Sequence, residues 1–176
     1  MTLNVDNIFA SQEEGNEFFQ NETDKALNHK FIVKSANQVM SANSTTYADN
    51  ELKFILSANT YYEITLYLYA QIGEDTETSF LLTYPATSVG MWFFKDLFEK
   101  EDLVLMVDQY PYSIATALTF YGDDASDNEM HIGIKIFIKT GNIAGNITLN
   151  YNRGTGDPST VYANSTMVIE SSQMIF

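Results

Sequence analysis

Apolar residues occupy every second position between residues 60 and 72, and this pattern restricts the fold more than any other part of the chain. Successive side chains of a β-strand point to opposite faces of a sheet, so alternation predicts a strand with one face in the core. The expected core-facing residues are Tyr62, Ile64, Leu66, Leu68, Ala70 and Ile72. The intervening residues, which would face away from the core, are Tyr61, Glu63, Thr65, Tyr67, Tyr69 and Gln71.

Strand patterns continue through the rest of the chain from Phe31 onward, separated by turns rich in Gly, Asn, Asp and Ser. The candidate strands are residues 31–40, 52–56, 60–72, 78–84, 103–107, 113–121, 130–139, 145–151 and 161–170. Eight or nine strands at this spacing predict an all-β fold, an antiparallel two-sheet β-sandwich of the jelly-roll type. We expect a single domain over residues 31–176, because the chain of 176 residues is too short for two comfortable domains.

Residues 89–101 break the strand pattern with a dense run of aromatic side chains. Their apolar residues recur at spacings closer to a helical period than to a period of two. A short helix or an aromatic loop at one end of the sandwich is therefore predicted. The same aromatic density favours a subunit contact, for which Trp92 and Phe94 are the candidate residues.

The first 30 residues are polar and acidic, and they differ from the rest of the chain. We interpret residues 1–30 as an arm with a possible short helix near residues 16–28. Two apolar pairs stand alone in this segment, Ile8 with Phe9 and Phe18 with Phe19. Separated apolar anchors of this kind suit attachment across a neighbouring subunit.

The charge balance excludes several classes of partner. The chain has 9 Lys and Arg against 23 Asp and Glu, a formal net charge of −14. Phosphate binding needs clustered basic side chains, so neither a nucleic acid nor an anionic membrane surface is expected as partner. The chain has no cysteine, which excludes disulfides and thiol chemistry. With no basic, apolar leader and no membrane-length apolar run, a soluble protein made in the cytoplasm is expected.

Catalytic motifs are absent from the sequence, and we predict no enzyme activity, no cofactor and no metal site. The two histidines, His29 and His131, have no motif around them that would make either a general base. The acidic loop at residues 122–129 is the best calcium candidate, but its spacing differs from an EF-hand, and a solvated hairpin connection explains it better. A pair of carboxylates for glycoside hydrolysis stays open, because only distance in space identifies one.

Three outward tyrosines on the long strand are candidates for binding a partner. Tyrosine joins a large apolar area to a hydroxyl group, so Tyr61, Tyr67 and Tyr69 could bind a sugar or contact a neighbouring subunit. The third alternative is packing within the chain, with the N-terminal arm covering this face.

Two segments of the sequence resemble a module of tailed-bacteriophage virion proteins. The first, residues 43–85, has an STT turn, a short apolar strand, an AN-T-Y step, a long alternating strand and a TYP ending. The second, residues 140–170, has a TG-x-x-AG strand end, an alternating T-L-x-Y strand, a polar loop and T-V-x-A-x-S before the last strand. The matching residues of the second segment are Thr140, Gly141, Ala144, Gly145, Thr148, Leu149, Tyr151, Thr160, Val161, Ala163 and Ser165.

The resemblance implies a structural role in a virion. It implies a capsid-attached decoration or auxiliary protein that forms homotrimers, bound through the arm to the major capsid protein or another virion protein. The alternative that it leaves open is a tail-fibre or baseplate module that recognises glycan on the host surface. An arm before the module, and the longer aromatic region at 89–106, depart from the family pattern.

Overall fold

Strands make up all the regular secondary structure in the described part of the chain. The computed structural model describes residues 29–41, 46–99, 111–122 and 129–173. The predicted arm helix, the strand at 103–107 and most of the acidic loop lie outside these residues. The strands are β1 (Lys30–Val33), β2 (Gln38–Met40), β3 (Thr46–Leu56), β4 (Thr60–Gln71), β5 (Glu77–Thr83), β6 (Val89–Glu99), β7 (Tyr112–Ser113), β8 (Leu118–Tyr121), β9 (Glu129–Lys139), β10 (Gly145–Arg153), β11 (Ser159–Val161) and β12 (Thr166–Gln173).

The strands form two antiparallel sheets, which confirms the predicted β-sandwich. The larger sheet has eight strands, with the path β1-β12-β4-β9-β6-β7 and the short strands β2 and β11 at one side. The smaller sheet has four strands in the order β3-β10-β5-β8. Strand β4 pairs with β9 on one edge and with β11 and β12 on the other, so all of its neighbours come from the second half of the sandwich sequence.

The core lies between the two sheets and contains the alternating residues that the sequence predicts. The apolar side chains of β4 at Tyr62, Ile64, Leu66 and Leu68 are at most 6% exposed. They face apolar side chains of the smaller sheet, including Phe80, Leu149 and Tyr151. Burying each large apolar side chain contributes about 1.5–3 kcal/mol, so this layer is the main source of stability.

The prediction for residues 89–101 is wrong, because Val89–Glu99 is the strand β6. It pairs with β9, and Trp92 lies opposite Ile136 and Phe94 opposite Ile134. A register shift follows between Phe94 and Asp96, where one extra residue enters the strand. Leu97 then lies opposite Ile132, so the residues that pair with the core isoleucines of β9 are spaced by two and then by three positions. Because of this inserted residue, the apolar residues of the segment have a spacing in the sequence that resembles the helical period.

Three predicted long strands are divided in the structure. Residues 31–40 form β1 and β2, residues 113–121 contribute to β7 and β8, and residues 161–170 contribute to β11 and β12. Each division lets the chain change its pairing partner, as when β11 pairs with β2 and β12 pairs with β1. The described residues therefore contain more and shorter strands than the alternation indicates.

A buried polar network joins the two sheets. Lys34, directly after β1 of the larger sheet, places its Nζ 2.9 Å from Oδ2 of Asp49 on β3 of the smaller sheet. The Tyr151 hydroxyl, on β10, donates to the same carboxylate oxygen. The other oxygen, Oδ1, accepts the backbone N–H groups of Glu51 and Leu52. Burial alone would raise the pKa of Asp49, but these donors outweigh it and hold the pKa below its ordinary value.

Glu51 extends this network toward the surface and makes it sensitive to pH. The hydroxyl and backbone N–H of Ser35 donate to Glu51 and lower its pKa from 4.5 to about 2. A carboxyl group with a lowered folded-state pKa stabilises the fold above its unfolded-state pKa, and this contribution is lost as the pH falls through the folded-state value. We therefore expect the urea midpoint of the wild-type protein to fall between pH 4.5 and about pH 2.

The Glu51→Gln variant provides the comparison, since glutamine keeps the shape but does not titrate. Its urea midpoint should fall less over the same pH range, and the two curves should converge at the acid end. Parallel curves for the two proteins would show that Glu51 does not couple folding to pH.

Candidate interaction surface

The side of the larger sheet that faces away from the core carries an unusual set of aromatic and lysine side chains. We call it the outer face, and it comprises the outward residues of β4, β9 and β6. Cross-strand pairing aligns Val89 and Tyr61 with Lys139, and Met91 and Glu63 with Phe137. The remaining members are Thr65, Tyr67, Tyr69, Gln71, His131, Lys135, Phe93 and, at the register shift, Lys95.

Three lysines of the outer face lie over aromatic rings. The distances from Nζ to the ring centroid are 5.1 Å for Lys95 over Tyr67, 5.5 Å for Lys135 over Phe137 and 5.3 Å for Lys139 over Tyr61. Each arrangement attracts the ammonium group to the negative face of the ring, by about 0.5–1 kcal/mol at exposed sites. Lys95 also donates to the Tyr67 hydroxyl at 2.9 Å, and Lys135 forms an ion pair with Glu63.

Tyr69 lies in the middle of a stack of three rings. Its ring centroid is 4.6 Å from that of His131 on one side and 4.6 Å from that of Tyr162 on the other. A hydrogen bond to Glu129 is the main reason that the pKa of Tyr69 is raised to about 12, so the hydroxyl stays protonated at neutral pH. Both faces of this ring are therefore occupied within the chain.

An open groove crosses the end of the outer face that is opposite to this stack. Its volume is about 680 Å³, and its exposed apolar side chains come from three neighbouring strands. Tyr61 is 38% exposed, Val89 63%, Met91 46% and Phe137 39%, and Lys139 lies beside them. Because these exposed apolar side chains lie side by side, the groove is the candidate interaction surface of the described residues.

The structure separates the residues that the sequence proposed for partner binding. Tyr61 and Tyr67 are exposed on the outer face, while Tyr69 is half-buried in the ring stack. Trp92 is buried in the core with no exposed area, so its side chain has no surface to offer a partner. Phe94 is half-buried and packs edge-on against Phe120, with centroids 5.4 Å apart. Ile8, Phe9, Phe18 and Phe19 lie outside the described residues.

Several residues of the outer face were not among the residues that the sequence proposed for partner binding. Lys135, Phe137 and Lys139 alternate with core isoleucines on β9, and this signal was available in the sequence. Val89 and Met91 were hidden by the helical spacing of their segment. Tyr162 gave no signal, because only the folded chain brings its loop beside β4.

The described part of the chain offers no arrangement for metal chemistry. No group of three or more His, Asp or Glu side chains within it is placed to hold a metal ion. His131, one of the two histidines, is a member of the ring stack on the sheet surface. Within the same residues, no helix is long and apolar enough to cross a membrane.

Comparison with known proteins finds distant likeness in fold to proteins of viral particles. No protein-family model and no curated protein matches the sequence. The chain is similar to a structure of the tripod (BppUct-A-L) from the baseplate of bacteriophage Tuc2009, with 11% identity and a TM-score of 0.38, over 99% of this chain and 74% of that one. It is also similar to a structure of infectious bursal disease virus, Gx strain, with 12% identity and a TM-score of 0.28, over 81% of this chain and 40% of that one.

Proposed function

We propose that the chain is a virion structural protein of a tailed bacteriophage, a capsid-attached decoration or auxiliary protein that forms homotrimers on the particle. The outer face is the observation that supports this role best, because it combines exposed apolar area with lysines that lie over aromatic rings. Residues 1–30 attach the protein to the major capsid protein or another virion protein through Ile8, Phe9, Phe18 and Phe19. The sequence resemblance of residues 43–85 and 140–170 to phage virion modules points to the same role.

The chemistry of the outer face favours a protein neighbour over a sugar. Sugar binding by tyrosine needs a free ring face, and both faces of Tyr69 are occupied by His131 and Tyr162. The rings of Tyr61 and Tyr67 each have one face under a lysine. Aromatic side chains and exposed methionine are enriched at protein interfaces, and this composition matches the groove.

The arm is tested by replacing its central apolar pair with Phe18→Ser and Phe19→Ser. Loss of two buried phenylalanines should weaken attachment by at least about tenfold, because each contributes about 1.5–3 kcal/mol when buried. The measurement is the occupancy of the protein on purified phage particles by cryo-electron microscopy, which also shows whether its density has threefold symmetry.

Ile55→Ser is the matched control, since Ile55 is a 68% exposed apolar residue on β3 of the other sheet. Its occupancy should equal that of the wild-type protein. Full occupancy of the double arm variant would reject attachment through the arm, and density without threefold symmetry would reject the homotrimer.

A further inference from the structure

We propose that in the free protein the groove of the outer face is covered by the N-terminal segment, residues 1–28, of the same chain. The groove is an apolar surface between β4, β9 and β6, with Lys139 beside it. The proposal goes beyond the role on the particle, because it concerns the protein in solution and holds whether or not the chain is a virion component.

The segment joins the sheet at a position that is level with the groove. Lys30 pairs with Ile169 on β12, and the preceding residue, His29, places Nε2 3.6 Å from Oε1 of Glu170. Glu170 pairs with Glu63 on β4, which in turn pairs with Phe137 on β9. His29 therefore lies in the same cross-strand row as the centre of the groove.

The chain before Lys30 also runs toward the end of the sheet where the groove lies. Because β1 and β12 are antiparallel, the chain before Lys30 leads toward the later residues of β12. In that direction Ser172 pairs with Tyr61 and Tyr61 with Lys139, which are the residues at the end of the groove. The segment thus leaves the sheet at the end where the groove lies.

The segment is long enough to reach the groove, and its composition suits that surface. The groove is two to four strand spacings from β1, about 10–19 Å at about 4.8 Å per spacing. Phe19 precedes His29 by ten residues, which span up to about 33 Å when extended. Residues 1–28 contain six Asp or Glu and one Lys, and their apolar pairs are flanked by acids such as Glu17. This pattern complements an apolar groove beside Lys139.

The test is zero-length carbodiimide crosslinking of the full-length protein, followed by mass spectrometry of the peptides. The reagent joins a carboxylate to an amine only when the two groups are in contact. We expect crosslinks from Lys139 or Lys135 to Glu13, Glu14 or Glu17. Lys53, exposed on β3 of the smaller sheet, is the internal control and should give no crosslinks to this segment.

An equal mixture of natural-abundance and ¹⁵N-labelled protein identifies the source of the segment. Crosslinked pairs of a single isotope are expected, whereas pairs of mixed isotope would overturn the proposal in favour of a second copy. Absence of crosslinks to Lys135 and Lys139, or equal crosslinking of Lys53, would also overturn it.

The Phe18→Ser, Phe19→Ser variant should lower the yield of these crosslinks at least about tenfold, because its apolar anchors are removed. An unchanged yield would contradict docking through this pair. This result can be told apart from the result on particle occupancy. Lost crosslinks with normal occupancy would reject only attachment to the particle through the arm. Normal crosslinks with lost occupancy would reject only docking of the segment in the groove.

Discussion

Replacing Lys34 with methionine is expected to lower the free energy of unfolding by about 3–5 kcal/mol. Lys34 and Asp49 have side chains that are 3% and 0% exposed, and they join the two sheets. Methionine keeps most of the apolar length of lysine but leaves the Asp49 carboxylate buried without its cation. Removing one partner of a buried pair costs far more than the pair itself contributes, because an uncompensated charge remains. The measurement is equilibrium urea unfolding at pH 7.

Lys53→Met is the matched control, since it makes the same substitution at an exposed lysine of β3. Its free energy of unfolding should stay within about 0.5 kcal/mol of the wild-type value. Adding Asp49→Asn to Lys34→Met should restore part of the lost stability, because the uncompensated charge is removed. Equal stability of the Lys34→Met and Lys53→Met variants would show that the network does not hold the sheets together.

Trp92→Ala is expected to destabilise the protein by about 3–5 kcal/mol. Trp92 is among the largest fully buried side chains and lies opposite Ile136 of β9 in the larger sheet. Truncation to alanine loses its apolar burial and leaves a cavity that the two sheets can only partly close. Urea unfolding followed by far-ultraviolet circular dichroism measures the effect, because the variant has no tryptophan left for fluorescence.

Ile55→Ala, at a 68% exposed position of β3 in the smaller sheet, is the control for this prediction. It should change the free energy of unfolding by less than about 0.5 kcal/mol. If Trp92 were instead a subunit contact, its substitution would leave the stability of the isolated chain near that of Ile55→Ala.

The sequence predicts the sandwich well for strands that keep the same side toward the core along their whole length. On β4 and β9 the alternation is unbroken, so the core residues Ile64 and Ile134 could be identified from the period of two alone. The outward positions of Tyr61 and Tyr67 follow from the same rule. Alternation depends only on the local geometry of a strand, so it can be recognised in the sequence without knowing which strands are its neighbours.

The features that the sequence did not predict depend on contacts between distant residues. The extra residue at Lys95 changes the spacing of β6, and only the pairing with β9 identifies it as a shift in register. The network of Lys34, Asp49 and Tyr151 joins residues separated by more than one hundred positions, as the bond from Tyr151 to Asp49 shows. Lysine and aspartate at these positions have the sequence appearance of surface residues, although the fold buries both.

The central position of β4 has a consequence for synthesis of the chain. The hydrogen-bonding partners of β4 are β9 on one edge and β11 and β12 on the other, and all three are translated long after it. Until they leave the ribosome, the nascent chain presents an apolar strand with two unpaired edges, which is the kind of segment that self-associates. The sandwich therefore closes only after β12 has been translated, and its rate of folding is set by pairings between distant parts of the chain.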